Sequence, residues 1–573
     1  MTCPTCGSEN PKDLAFCGQC GTLFAERASS SESSPHRQPV GGVFVGRERE
    51  LATLQASLAD ALAAHGRLIL LVGEPGIGKT RLAEEFAGVA RQKGALALWG
   101  RCWEGEGTPA FWPWVQIVRA YVQQRDPERL AREMGTGAAD IAQVVSEVRE
   151  QIPGLSLPPE IESAQARFRL FDSFTTFLKN ASDGQPLTLI CDDLQWADKP
   201  SLLLLHFLAR ELSDTRLLVL GTYRDVVIGR EHPLADELGK LARYGRRIVL
   251  PGLAKEEVAH FITQVTGTPP AACLVSAVYE KTEGNPFFMG EIIHLLDATG
   301  KLRDAEGQAR WDIGLPHGVR EAIRQHLARL SAACARLLAI AAVEGREFSL
   351  DLIKRASATA HGVGTDLVSA PTAEQPPGVP LLALLAEALA AHVIDQVPGR
   401  VGRYRFVHAL IRETLYEDLS LTDRINLHRQ IGEAMEALHA INLEPYLAEL
   451  ADHFFKATPM GVVNRAMEYT IKAAERAIAL LAYEEAVGHY QRALQLLELT
   501  EPNATRRCAL LLALGDAQLK AGEARNARDS FRQVAALAKI QKVHPGLWRH
   551  LFASIRTGTF CSYHPELPTS WQV

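Results

Sequence analysis

The clearest chemistry in the sequence is carried by the run Gly73-Glu74-Pro75-Gly76-Ile77-Gly78-Lys79-Thr80, which fits the pattern G-x-x-x-x-G-K-[ST]. An apolar run precedes it and an amphipathic stretch follows, so the segment is predicted to join a strand to a helix. Glycines let the backbone approach a phosphate closely, and loop N–H groups point at the anion. Lys79 is expected to contact the outer phosphates, and the Thr80 hydroxyl is expected to ligate Mg²⁺. The alternative is a Gly-rich turn without a ligand.

A second apolar run, at 187–191, ends in Asp192 and Asp193. The carboxyl end of such a strand would place both acids beside the phosphate loop. We expect Asp192 to ligate Mg²⁺ and Asp193 to orient an attacking water. Alone, an acid pair after a strand is usually a turn or helix cap, and only the upstream loop favours a metal site. Asp198, just before Pro200, is predicted to be a helix cap.

A third strand, at 217–220, leads to Arg224 at its tip. An arginine there can reach a γ-phosphate and respond to its presence. The alternative is an exposed arginine in a surface ion pair.

Four cysteines form two CxxC pairs at the start of the chain: Cys3, Cys6, Cys17 and Cys20. Two such pairs can bring four thiolates to tetrahedral distance around Zn²⁺, which leaves no open position for catalysis. A redox dithiol is the alternative. The Ser- and Pro-rich residues that follow are predicted to form a flexible linker.

Five apolar, strand-like runs between residues 67 and 250 alternate with helical stretches, which indicates a mostly parallel five-stranded sheet covered by helices. After about residue 253 helical spacing dominates. The predicted fold is therefore multidomain, with an α/β core of P-loop type followed by helical domains. The expected boundaries are 1–24 for a zinc ribbon, 25–41 for the linker, 42–253 for the α/β core and 426–573 for helical repeats, with further helical segments between the core and the repeats.

The helical repeats are predicted from a self-similar pair of segments. Ala473, Ala474, Ala477, Ala486, Tyr490 and Ala493 correspond, 41 positions later, to Leu514, Gly515, Gln518, Ala527, Phe531 and Val534. Their small and aromatic residues have the spacing of tetratricopeptide hairpins, with unrelated Ala-rich hairpins as the alternative. Because solenoids usually need three or more units and a polar cap, the set is expected to be incomplete.

Charge and hydropathy narrow the expected environment. The 573 residues contain 61 basic and 67 acidic side chains, for a formal charge of −6, which gives no support to nucleic-acid or anionic-membrane binding. No apolar run approaches the length of a membrane span, and the N-terminus does not resemble a secretory signal. We therefore expect a cytoplasmic protein without a membrane partner.

Residues 43 to about 300 resemble the ATPase module of the STAND branch of AAA+-related P-loop NTPases. The resemblance is to large ATP-binding LuxR-type regulators and to the regulatory half of soluble-adenylyl-cyclase-like proteins. It rests on FVGRE at 44–48, DDLQWAD at 192–198, GTYRD at 221–225 and GNPFF at 284–288, besides the phosphate loop. A segment at 404–413 is similar to the winged-helix part of STAND proteins. The resemblance therefore implies a helical lid at 254–310 and a winged-helix-like domain at 311–425.

The resemblance implies ATP or ADP with Mg²⁺ as ligands and assigns roles to further residues. Residues 45–47 would lie against adenine, Pro286 would pack on the base, Arg224 would be the sensor, and His408 would touch the β-phosphate in a closed ADP state. A packing or surface histidine is the alternative for His408. The expected nucleotide-binding set is Val45, Gly46, Arg47, Gly73, Glu74, Pro75, Gly76, Ile77, Gly78, Lys79, Thr80, Arg81, Pro286 and His408, with Lys79, Asp193 and Arg224 as the catalytic residues.

Two functions remain open at this point. In the first, a slow ATPase switches between ADP and ATP states, the helical repeats receive a protein or small-molecule signal, and nucleotide drives self-association. In the second, the nucleotide is a structural ligand of an interaction scaffold. A regulatory part of a cyclase-like or LuxR-type protein that lacks its output domain is a further alternative.

Overall fold

The computed structural model describes residues 43–102, 107–156, 158, 163–224, 234–298, 318–360, 381–397, 400–500, 503–537, 555–557 and 561–563. The cysteines of the expected zinc ribbon and the expected linker at 25–41 lie outside these residues. Two units divide the chain, and each is discontinuous in sequence. The first consists of Met1–Leu51, Val72–Leu82 and Val249–Leu438, and the second of Ala52–Leu71, Ala83–Ile248 and His439–Val573.

A five-stranded parallel sheet lies at the centre of the second unit. Its strands are β1 (Arg67–Val72), β2 (Leu96–Arg101), β3 (Leu187–Asp192), β4 (Leu217–Tyr223) and β5 (Arg246–Val249), in the order β2-β3-β4-β1-β5. All five strands predicted from apolar runs are confirmed. Every residue of β3 and β4 is buried, as expected for strands covered on both faces. The register pairs Cys191 with Gly221, so the ends of β3 and β4 lie side by side.

In the part of the chain that the structure describes, nine helices accompany the sheet, and several of them are amphipathic or begin at side-chain caps. They are α1 (Glu48–Leu62), α2 (Lys79–Gln92), α3 (Trp112–Val122), α4 (Pro127–Met134), α5 (Ala138–Val144), α6 (Glu147–Gln151), α7 (Ser163–Gly184), α8 (Lys199–Arg210) and α9 (Ala235–Leu241). Asp126 and Asp198 cap α4 and α8 by accepting backbone N–H groups, each just before a proline that fits the first helical turn. The cap predicted at Asp198 is confirmed.

The first unit continues with helices and a small sheet. Its elements are α10 (Lys255–Thr266), α11 (Ala272–Thr282), α12 (Pro286–Ala298), α13 (Val319–Leu327), α14 (Ala332–Glu344), β6 (Glu347–Ser349), α15 (Leu350–Ala360), α16 (Leu381–Ala390), β7 (Ile394–Gln396), β8 (Arg403–Phe406), α17 (Ala409–Asp418) and α18 (Leu421–Leu438). The strands β6, β8 and β7 form an antiparallel sheet in that order. These helices and the small antiparallel sheet lie in the region for which a winged-helix-like domain is expected, and that assignment stays a prediction.

Paired helices return to the second unit at its C-terminal part. They are α19 (Leu447–Lys456), α20 (Val463–Ala479), α21 (Tyr483–Glu498), α22 (Ala504–Lys520) and α23 (Ala524–Leu537), followed by an antiparallel pair of strands, β9 (Ile555–Thr557) and β10 (Cys561–Tyr563). A Cβ on Gly515 would lie 2.5 Å from the Phe531 ring, so the glycine lets α22 and α23 approach. Among the described residues, no helix combines the length and the apolar character required to cross a bilayer.

Candidate functional site

The phosphate loop follows β1 and leads into α2 within the first unit. Gly76 and Gly78 have φ of 81° and 99°, which only glycine adopts without strain. A Cβ on Gly78 would meet nothing within 4 Å, whereas one on Gly76 would lie 2.8 Å from Asn285 Oδ1. Gly78 therefore leaves an open space beside the loop, and Gly76 permits close contact with the start of α12.

Lys79 is buried and its ammonium turns back onto the loop. Its Nζ donates hydrogen bonds to the carbonyl oxygens of Gly73 and Glu74, each at 2.9 Å. Thr80 is the next residue of α2, so its hydroxyl follows the lysine at the helix start. The ammonium group of Lys79 is thus held by two carbonyl groups of the loop itself.

Arg47 holds the loop from another side. Its Nη2 donates to the carbonyl oxygen of Ile77 at 3.1 Å, and its backbone has φ of 72°. Burial lowers the pKa of the guanidinium, while the nearby carboxylates of Glu50 and Glu257 oppose that shift. A Cβ on Gly46 would lie 2.4 Å from the Glu257 carboxylate, which explains a glycine there. The segment 45–47 therefore lies against the phosphate loop and α10.

Asn285 connects the phosphate loop to α12. Its Nδ2 donates to the carbonyl oxygen of Pro75 at 2.9 Å, and its Oδ1 accepts from the N–H groups of Phe287 and Phe288 at 3.2 and 3.4 Å. Pro286 is the first residue of α12, a position that its fixed φ favours. The amide therefore caps the helix and holds the loop at the same time.

His408 lies next to the same helix start. Its ring stacks on the Phe287 ring with centroids 3.8 Å apart and planes inclined by 18°. Its Nδ1 accepts from the backbone N–H of Leu410 at 3.1 Å, so the side chain also caps α17. One contact path therefore runs from the loop carbonyl of Pro75 through Asn285 and Phe287 to His408 and α17.

The acidic pair ends β3 in the second unit. Asp192 is fully buried and accepts a hydrogen bond from the Thr222 hydroxyl at 2.6 Å. The same hydroxyl accepts from the backbone N–H of Asp193 at 2.9 Å. Asp193 has φ of 60°, a left-handed conformation that Asp tolerates better than most residues. Thr222, on the neighbouring strand, therefore orients both acids.

Gln195 extends this network to Arg224. Its Nε2 donates to Asp193 Oδ1 at 2.9 Å, and its Oε1 accepts from the backbone N–H of Arg224 at 3.2 Å. The Arg224 guanidinium lies 6.0 Å from the centre of the Trp196 ring, and the arginine is buried rather than exposed. Gln195 thus forms hydrogen bonds with both Asp193, the predicted water-orienting acid, and Arg224, the predicted sensor.

Each of the two segments, taken by itself, has groups that suit a nucleotide phosphate or magnesium. The loop of the first unit offers an open space at Gly78, positive-φ glycines and a buried lysine. The end of β3 in the second unit offers a buried carboxylate. Mg²⁺ in such sites is bound by one or two protein oxygens together with substrate phosphates. Among the described residues, no group of three or more His, Cys, Asp or Glu side chains is arranged to hold a metal.

Four residues of the site received no role from sequence reasoning: Asn285, Phe287, Thr222 and Gln195. All four stand inside the GNPFF, GTYRD and DDLQWAD motifs. The motifs indicated which segments belong to the site. They could not indicate the hydrogen bonds that these residues form with other strands and helices, because local spacing contains no information about such partners.

Comparisons with known proteins agree with this geometry. Residues 43–220 match the family model described as the AAA ATPase domain. Residues 43–220 are therefore similar to AAA ATPase domains, and the expected resemblance is confirmed, as is the expected parallel five-stranded α/β core followed by a helical region.

One curated relative and two solved structures also show similarity to this chain. An uncharacterized protein of Rhizobium meliloti (strain 1021) is 24% identical over 496 residues, which cover 83% of this chain and 45% of that protein. The chain thus spans less than half of this curated relative. A signal transduction ATPase with numerous domains and a tetratricopeptide repeat sensor from Pyrococcus horikoshii is 14% identical, with 88% and 78% of the two chains covered and a TM-score of 0.38. The ORC2 protein of Aeropyrum pernix is 16% identical, with 70% and 98% covered and a TM-score of 0.31.

Proposed function

We propose that this chain is a slow, ATP-hydrolysing signal-transduction switch of the STAND class. The observation that carries the proposal is the contact path from the phosphate loop through Asn285 and Phe287 to His408. Such a path couples whatever occupies the loop to the position of the winged-helix-like domain. The ADP or ATP state would then select the arrangement of that domain, as in other nucleotide switches.

The protein groups divide the chemical work. Lys79 would exchange the carbonyl oxygens of Gly73 and Glu74 for phosphate oxygens as its acceptors. Thr80 and Asp192 are the proposed Mg²⁺ ligands, and Mg²⁺ with ATP would supply charge neutralisation for phosphoryl transfer. Asp193 would orient a water, held in position by Gln195. Arg224 would respond to the γ-phosphate.

His408 is assigned a positional role in this proposal. Its Nδ1 accepts the α17 backbone and its ring covers Phe287, so it connects two domains of the first unit. Contact of His408 with a β-phosphate, and contact of Pro286 and residues 45–47 with the base, remain part of the proposal.

Nucleotide binding to the purified full chain tests the phosphate loop directly. Titration with a fluorescent ATP analogue and Mg²⁺ is expected to show affinity about 100-fold weaker for Lys79→Ala, since a buried charge-assisted contact to phosphate is lost. Lys93→Ala, an exposed lysine just after α2, is the matched control and should bind as the wild type does. Full affinity in Lys79→Ala would refute the proposal.

A nucleotide-bound scaffold is the second candidate. Two features favour the scaffold: Lys79 is buried and bonded to loop carbonyl groups, and the helices α20–α23 form pairs. Both features suit a protein whose nucleotide is a structural ligand. Wild-type chain that releases no phosphate in any nucleotide or partner condition would support this candidate over the switch.

The zinc ribbon and nucleotide-dependent self-association belong to the same proposal. One equivalent of zinc in the purified chain, lost when Cys3 and Cys6 are replaced by Ser, is the expected result. Light scattering with ADP and with ATP measures self-association, which is expected to increase in ATP.

A further inference from the structure

A cavity of about 160 Å³ lies within the second unit, between the turn after the acidic pair and helix α21. Its lining includes Trp196 and Asp198 from the turn and Glu485, Gly488, His489 and Arg492 from the helix. A single water needs only about 10–15 Å³ of comparable volume. The space is therefore large enough for a small organic molecule.

The charges around the cavity are unbalanced. Glu485 and Asp198 are both acids, and Arg492 is the one cationic side chain among the lining residues that the structure describes. Burial and the charge of Asp198 raise the pKa of Glu485 to about 7, and Arg492, Glu484 and the backbone N–H of Lys199 also act on it. Burial lowers the pKa of His489 to about 4, so this imidazole is neutral near pH 7. A positively charged group placed beside Glu485 would relieve the repulsion between the acids.

Trp196 brings a hydrogen-bond donor that is not used. Its Nε1 is buried and has no acceptor within the part of the chain that the structure describes. Buried N–H groups of tryptophan normally find a partner, so an orphan group beside a cavity points to an acceptor that the protein does not itself supply.

Gly488 is a helix-interior glycine without a packing reason. A Cβ at this position would meet nothing within 4 Å, in contrast to Gly515, whose Cβ would press into Phe531. Glycine inside a helix destabilises it relative to alanine. Because Gly488 lines the cavity, its missing side chain keeps the space open.

We propose that this cavity binds a free α-amino acid. The ammonium group would lie at Glu485 near Asp198, and the carboxylate would accept hydrogen bonds from Trp196 Nε1 and Arg492. The site goes beyond the proposed switch, because nothing in it requires a nucleotide. Trp196 also carries the Arg224 guanidinium over its ring, which places the ligand one side chain away from the tip of β4.

Thermal unfolding of the full chain with each proteinogenic amino acid at millimolar concentration tests the site. At least one amino acid is expected to raise the melting temperature by a few degrees, as a ligand of the folded state does. Its 2-hydroxy-acid analogue, which lacks the ammonium group, is expected to give no shift. The absence of a shift with every amino acid overturns the proposal, and so does an equal shift with the hydroxy acid.

Variants locate the binding by calorimetric titration. Gly488→Leu fills the cavity and is expected to abolish binding, and Gly488→Ala, which adds less volume, should weaken it if the larger variant does not fold. Glu485→Gln is expected to weaken affinity about tenfold or more. Glu498→Gln, an acid of the same helix that is 62% exposed, should bind as the wild type does. Unchanged affinity in both the Gly488 and Glu485 variants would place the amino acid elsewhere and refute the site.

Two further measurements distinguish the proposed amino-acid site from the proposed nucleotide switch. Affinity should fall as the pH drops below about 7, because protonated Glu485 attracts an ammonium group less. Lys79→Ala should retain amino-acid binding even where it loses ATP. A failure of ATP binding alone therefore leaves the amino-acid site standing, and the reverse also holds.

Discussion

The phosphate loop and the acidic strand end are held in different ways. The loop is fixed through its own carbonyl groups by side chains distant in sequence, with Arg47 bound to Ile77 and Asn285 bound to Pro75 across 210 positions. The acids are held by two side chains close to them in the sheet: Thr222 on the neighbouring strand β4 and Gln195 in the turn after β3. The loop is thus held by a side chain of α12, whereas the hydrogen bonds described for the acids come from β4 and from the turn that follows β3. We therefore expect Asn285 to matter most for binding and Asp193 to matter most for the chemical step.

The largest effect is expected at the acidic end of β3. Asp193→Asn should lower phosphate release about 10²- to 10⁴-fold, the usual contribution of a positioned base, while ATP affinity stays within about twofold. Asparagine tolerates the left-handed backbone and can still accept from Gln195, so the fold should persist. Release of radiolabelled phosphate under single-turnover conditions measures it. Equal loss of binding and turnover would contradict this division between binding and the chemical step.

A smaller effect is expected at Asn285, which connects the phosphate loop to α12. Asn285→Ala should weaken nucleotide binding about tenfold and lower the free energy of unfolding by about 1–2 kcal/mol, because both a helix cap and a bond to the loop are lost. Asn285→Asp keeps the acceptor for the cap but cannot donate to Pro75. It should retain stability and lose affinity, as judged by denaturant unfolding and ATP titration. Full affinity in Asn285→Asp would show that the loop does not need this bond.

Acidification is expected to act on the two units with opposite sign. Burial lowers the pKa of His453 to about 3, below its unfolded value, so its stabilising contribution is complete above about pH 6.5 and is lost as pH falls. Burial also opposes protonation of His326, but the hydrogen bond and charge of Glu291 raise the pKa of His326 overall. That contribution is complete below the unfolded pKa and is lost as pH rises.

Hydrogen exchange at pH 5.5 and 7.5 measures this contrast. Amides of α19 should lose about 1 kcal/mol of protection at the lower pH, and amides of α13 should gain protection. His453→Gln should remove the change in α19 and leave that in α13. Identical pH responses in the two helices would contradict the assignment.

The smallest expected effect concerns the aromatic stack. Phe287→Leu keeps an apolar side chain but loses the ring contact with His408, which is worth about 0.5–1.5 kcal/mol. ATP affinity should change less than in Asn285→Ala, whereas α17 should become more sensitive to protease in the ADP state. An α17 that remains equally protected would show that the stack does not transmit the state of the loop.

Continuous apolar runs and complete motifs made the sheet and the phosphate loop predictable from sequence. The strands β1, β3 and β4 are runs of almost wholly buried residues, whereas β2 is only partly buried and β5 is largely exposed. Lys79 follows a pattern whose spacing has a physical reason. Asn285 could not be assigned, because its partner is a backbone carbonyl that any sequence supplies. The cavity beside Gly488 could not be predicted either, because local spacing does not distinguish a glycine that allows close packing from one that leaves an open space.

The discontinuous first unit has a consequence for biosynthesis. A ribosome adds roughly 5–20 residues per second, so the phosphate loop is made about 10–40 seconds before the asparagine that holds it, 210 positions later. During that interval the nascent loop has none of its lid contacts. Codon-dependent pauses in the intervening stretch, or chaperones that act on emerging chains, would therefore influence how much of the protein reaches a nucleotide-competent form.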